Sequence, residues 1–174
     1  MRNEGVPAMF RLCAILLSLL PGASVDIARP GPFAFGSSVA QAQQRPAPLC
    51  TSLEIRVLTP PTAPLARISR HPVDCAGFVH ADRPRTVELV FQDYRLDLVW
   101  ILFPAQRKTE LLQAFSTRYG KPSLEVEFGS IYLAASAAAR NAPNGALFAS
   151  ERQARAMMAR LQAQAAAASP STSP

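Results

Sequence analysis

Two histidines, three cysteines and eight glycines among 174 residues leave few sites for common enzyme chemistry. A serine hydrolase needs a base beside its nucleophile, most often an imidazole. His71 precedes Pro72 and His80 lies close to Asp82, and neither accompanies a G-x-S-x-G turn. No glycine cluster forms a phosphate loop. No cysteine pair has C-x-x-C spacing, so thiol redox chemistry has no motif either. Long apolar runs are missing too: the run Leu12–Leu20 falls well below the ~20 residues that span a bilayer. No transmembrane span is expected.

The charge is one-sided, at +6, but the basic residues are nearly all arginine and no three of them are consecutive. A nucleic-acid surface needs such residues gathered in a stripe or patch, so no nucleic-acid partner is expected.

What the sequence does contain begins with export. Arg2 and Arg11 precede the short apolar run, which breaks at Pro21-Gly22, the order of a secretory signal. Two cleavage positions fit: after Ser24, at the more usual distance, and after Ala42, in the better small-x-small match Ala40-Gln41-Ala42. The second is preferred, giving a signal over 1–42. A lipoprotein is not expected, because Leu12 and Leu49 stand where lipid attachment wants a small residue before the cysteine. Removal of the signal leaves Cys50 and Cys75, an even number in an oxidising compartment, and they are expected to pair. The expected location is periplasmic or secreted.

Along the mature chain, 43–85 reads as a proline-rich extended segment carrying the disulfide. Its one expected strand is Leu53 to Leu58, where Leu53, Ile55 and Val57 alternate with Glu54 and Arg56. Pro72 and Pro84 make 65–85 look irregular. Residues 86–165 form the expected α+β core. Strands at 86–91 and 96–103 close on Asp93-Tyr94, and simple alternation pairs Phe91 with Leu96, Leu89 with Leu98 and Val87 with Trp100. Pro104 suits a helix start; Leu111, Leu112, Phe115 and Tyr119 share one helix face, and Gly120 with Pro122 ends it. A second hairpin is expected to turn at Gly129-Ser130, a short strand at 146–149, and a last helix opens on the capping box Ser150…Gln153. Residues 166–174 read as a disordered tail. The predicted fold class is α+β, a small antiparallel sheet of about four to six strands, two hairpins plus short strands, with two helices packed on it.

The hairpin Phe91-Gln92-Asp93-Tyr94-Arg95-Leu96, the helix end Arg118-Tyr119-Gly120-Lys121-Pro122 and the strand Ile131-Tyr132-Leu133 resemble small bacterial periplasmic proteins with helices on one face of an antiparallel sheet. They are distantly similar to β-lactamase inhibitory protein-like and outer-membrane assembly lipoprotein domains. The chain departs from that class in its proline-rich segment, which stands where a helix pair is usual, and in having no lipobox. The resemblance carries over no functional residue.

The functional expectation is a non-enzymatic binding or envelope-assembly module. Its partner would be an envelope protein or a second copy, with no cofactor and no catalytic or metal residue assigned. Two alternatives stand beside it: a small enzyme of unrecognised family, and a metal-handling protein using His71, Cys75 and His80, whose imidazoles and thiol suit zinc or copper. Glu125 and Glu127 would lie about 7 Å apart on one strand face, a spacing more often found on a solvated sheet. The simple hairpin register leaves Val99, Ile101 and Phe103 opposite the core face, on the same side as Tyr132. That strip is the expected interface, covered by the proline-rich segment or by another chain.

Overall fold

The computed structural model describes residues 27–44, 49–61, 65–80 and 82–168. Eight strands form one antiparallel sheet in the order β1-β2-β3-β4-β8-β7-β6-β5. In chain order the elements are α1 (Val39–Gln43), β1 (Ser52–Ile55), β2 (Arg70–His80), β3 (Arg83–Gln92), β4 (Arg95–Leu102), α2 (Lys108–Tyr119), β5 (Leu124–Val126), β6 (Gly129–Tyr132), β7 (Ala137–Arg140), β8 (Gly145–Ala149) and α3 (Glu151–Ala168). The α+β class is as expected; the sheet is larger than four to six strands.

Two strands account for the difference. The stretch read as irregular contains β2, the longest strand. Pro72 is tolerated there because its carbonyl accepts from Arg56 N at 2.9 Å, so the side without an N–H faces the end of edge strand β1, not the ladder to β3. The other is β7, whose Ala137-Ala138-Ala139 carry no β-branched or aromatic residue. Its alanines suit a crowded centre, flanked by β6 and β8 with both faces covered.

Asp93 and Tyr94 make the β3–β4 turn with both φ angles positive, 49° and 66°, as a two-residue hairpin of the right twist requires. Phe91 pairs with Leu96 as expected, but the register then shifts by one: Val90 pairs with Leu98, Leu89 with Val99, Glu88 with Trp100 and Val87 with Ile101. Asp97 is the extra residue of this bulge. It is 1% exposed; its carboxylate accepts from Ser150 Oγ at 2.6 Å and Arg152 Nε at 2.8 Å, and its carbonyl accepts from Ser150 N at 2.7 Å. The bulge therefore anchors the start of α3, and beyond it every side chain of β4 exchanges faces.

The second hairpin is also displaced. Its turn is Glu127-Phe128, and β5 pairs Leu124 with Ile131, Glu125 with Ser130 and Val126 with Gly129. Gly129 belongs inside β6: a Cβ there would sit 2.1 Å from the Ala139 carbonyl oxygen on β7, so only glycine permits this close pairing.

One sheet face buries Val87, Leu89, Phe91, Val99, Ile101, Ala139 and Phe148 in one core with Leu111 and Phe115 of α2 and with Ile27 and Phe33. Gly120, at φ 78°, ends that helix as its position suggests. The other face buries Val90, Leu98, Ile131, Ala138, Leu147 and Ala149 against Ala154 and Leu161 of α3, whose start is capped by Ser150 Oγ accepting from Gln153 N. The two helices thus lie on opposite faces, unlike the one-sided arrangement of the resembled class. Residues 166–168, expected in a tail, continue α3, and 169–174 lie outside the described residues.

α2 reaches only part of its face. Over β1 to β3 the cover is residues 27–44, all but the last two of which fall in the stretch 1–42 assigned to a signal. Ile27 and Phe33 are buried in the main core, Tyr119 Oη donates to the Ile27 carbonyl at 3.2 Å, and Gly36 N and Leu96 N donate across to Leu96 O and Ser37 O at 2.9 Å each. A capping box between Ser38 and Gln41 starts α1.

Candidate functional site

Where the N-terminal cover meets the sheet it leaves a cavity of about 210 Å³. The floor is Val73, Leu89 and Phe91 from β2 and β3; the roof is Phe33, Val39, Ala42 and Gln43; the side is Leu49, Cys50 and Leu53. Alternation creates the floor, since these three point to one sheet face. The side wall is held by the Cys50–Cys75 disulfide, with Cα atoms 5.2 Å apart. Cys75 is fully buried in β2 and Cys50 packs against the same core from outside. The pairing expected from the cysteine count is therefore present, and it ties the strap 49–55 to β2 beside the cavity. Among the described residues Gln43 is the one polar side chain in the lining, so this lining suits apolar groups and offers a hydrogen-bonding amide.

The expected interface strip lies elsewhere than a surface. Val99, Ile101, Phe103 and Tyr132 are all buried in the core under α2, because the Asp97 bulge reverses the faces of β4. The strip is covered within the chain: Tyr132 by Phe115 and Tyr119 of α2, and Phe103 by the Arg85 guanidinium, 4.6 Å from its ring centroid. Tyr132 stacks with Phe115 at 5.1 Å and Tyr119 at 5.9 Å, and burial, with Glu125 adding to it, pushes its phenol above the usual value.

His71, Cys75 and His80 all lie on β2 and do not converge. Cys75 is in the disulfide, His71 lies 6.0 Å from the Tyr94 ring, and His80 is buried between Phe78 and Phe103 at 6.3 and 6.4 Å. No three His, Cys, Asp or Glu among the described residues could hold a metal ion. Glu125 and Glu127 are not a strand-face pair: Ser130 Oγ donates to Glu125 at 2.8 Å, while Glu127 sits in the turn.

Charged groups gather instead on the α3 side of the sheet, beyond the helix. Arg56 donates to Asp74 at 3.1 Å and Glu88 at 3.2 Å, and the Asp74 hydrogen bond chiefly raises its pKa. Arg140 stacks 3.7 Å above the Trp100 ring; burial lowers its pKa, with Glu88 opposing. Both arrangements close on themselves as sheet-bracing contacts.

No protein-family model, curated protein or solved structure matches this chain. The class the structure defines is an eight-stranded antiparallel α+β sheet with a helix on each face and a disulfide-strapped edge. The cavity was missed in the sequence because its roof lies within the presumed signal. Phe33, Phe35 and Val39, apolar residues spaced through a segment past the leader's apolar run, were the available signal.

Proposed function

We propose that this is an exported, non-enzymatic binding module whose cavity between α1, the disulfide strap and the sheet receives a small, uncharged apolar group. The cavity itself carries the reading. A pocket of about 210 Å³ with a mainly apolar lining has room for a single ring or short aliphatic chain. The location is periplasmic or secreted; the basic residues ahead of a short apolar run and the disulfide support it. No helix among the described residues is long and apolar enough to cross a membrane.

This reading favours cleavage after Ser24 over Ala42. A cut after Ala42 would discard Ile27, Phe33 and Val39, opening both the core and the cavity. Intact-mass measurement of the exported protein is expected to give a chain beginning at Val25 with no free thiol; a chain beginning at Gln43 overturns the choice. Binding is tested by melting the oxidised protein in increasing toluene or hexanol. At ligand near 100 times Kd the gain is about 2.7 kcal/mol, a rise of several degrees. Ala42→Phe, which fills the cavity from α1, abolishes the rise. A melting temperature indifferent to every such ligand sinks the proposal.

A further inference from the structure

Arg56 N and Leu58 N donate to Pro72 O at 2.9 Å and Arg70 O at 3.1 Å, so the even-numbered residues turn their backbone groups toward β2. By strand alternation Leu53, Ile55 and Val57 turn theirs outward, along an edge of the sheet that no other strand among the described residues joins. The same three side chains are 44%, 42% and 66% exposed, which is unusual for consecutive apolar positions of one strand face. Their neighbours on the other face are Glu54 and Arg56.

We infer that β1 joins β1 of a second copy, antiparallel about Ile55, to make one continuous sheet through both chains. In this register Ile55 faces Ile55, Leu53 faces Val57, and Glu54 of each copy faces Arg56 of the other. The charges select it. Moving the axis one residue back sets Glu54 against Glu54, and one residue forward sets Arg56 against Arg56; like charges directly opposite each other oppose pairing. The acidic side is also in excess here, since Glu54 lies opposite Asp74, which lies opposite Glu88, and within the chain Arg56 serves the latter two. Across the two-fold axis each Arg56, which holds its own Asp74 and Glu88, also comes to face the other copy's Glu54, so the two charge networks join. The interface is isologous, as a two-fold dimer requires.

Sedimentation velocity of the mature, oxidised protein across a concentration series tests this. The wild type is expected to approach the mass of two chains. Glu54→Lys weakens association about tenfold or more, since two attractive pairs become repulsive. The swap Glu54→Lys with Arg56→Glu restores it and keeps a cation opposite Asp74. Ile55→Pro deletes an outward N–H without touching the bonds to β2, so it yields single chains that melt where the wild type does at dilutions that dissociate it. A wild type with single-chain mass up to millimolar concentration overturns the inference, and so does a dimer that survives Ile55→Pro.

Discussion

Asp93 does two jobs with one side chain. It takes a left-handed conformation in the β3–β4 turn, and its carboxylate accepts from the amides of Arg67, Ile68 and Ser69 at 3.0, 2.8 and 3.1 Å, docking the loop ahead of β2. These amides, Ile68 first and Ser69 next, hold its pKa below the ordinary carboxylate value. A carboxyl group with a depressed folded pKa adds stability that is fully present above its unfolded pKa. That stability is lost as pH falls through the folded value. Asp93→Asn is therefore expected to lower the urea midpoint at pH 7, with the gap to wild type closing below the normal carboxylate range. A gap constant down to strongly acid pH would show that the charge contributes nothing. The turn was legible from Asp-Tyr between two apolar runs; the three amides were not, because they come from a segment distant in sequence.

At the scale of elements, Asp97 decides how β4 and α3 meet. Its carboxylate is buried against Ser150 and Arg152, so Asp97→Ala leaves the Ser150 hydroxyl without its acceptor and frees the helix start. Arg152 retains access to water, with 37% of its side chain exposed, which limits the loss. The expected cost is about 2–3 kcal/mol, read as a fall in denaturation midpoint, and Arg152→Ala should cost less. Equal, negligible effects would mean that α3 is held by its apolar face alone. Two helix ends were legible, because caps are local chemistry: Gly120 stops α2 and Ser150 with Gln153 starts α3. The β4 register was not. Leu98, Val99, Trp100 and Ile101 are apolar toward both faces, so alternation accepts either register, and the choice falls to an anchor 53 residues away at Ser150.

For the molecule as a whole, the disulfide fastens the edge strand and cavity wall to the centre of β2. Its partners are 25 residues apart, and closing such a loop is worth about 3.5 kcal/mol in the chain-entropy account. Replacing Cys50 and Cys75 together by Ser is expected to cost about that much in calorimetric or denaturant unfolding. It should also weaken ligand uptake in the cavity more than it disturbs the core under α2. A variant as stable as wild type, with uptake intact, would leave the strap without a role.

The sequence alone determines the α+β class, the two helices, the β3–β4 turn and the cysteine pairing, because each follows from periodicity, from residues that prefer caps and turns, or from a count of thiols. Tertiary structure decides the rest. Pro72 can sit in β2 only because its carbonyl side meets the end of an edge strand, and the alanines of β7 become a strand only because both faces of the sheet are covered. Val99, Ile101 and Phe103 turn into core through one bulged residue bound to a distant helix. Residues 27–42, which read as leader on the small-x-small match Ala40-Gln41-Ala42, become a wall of the domain because the sheet beneath them has an apolar face that α2 is too short to cover.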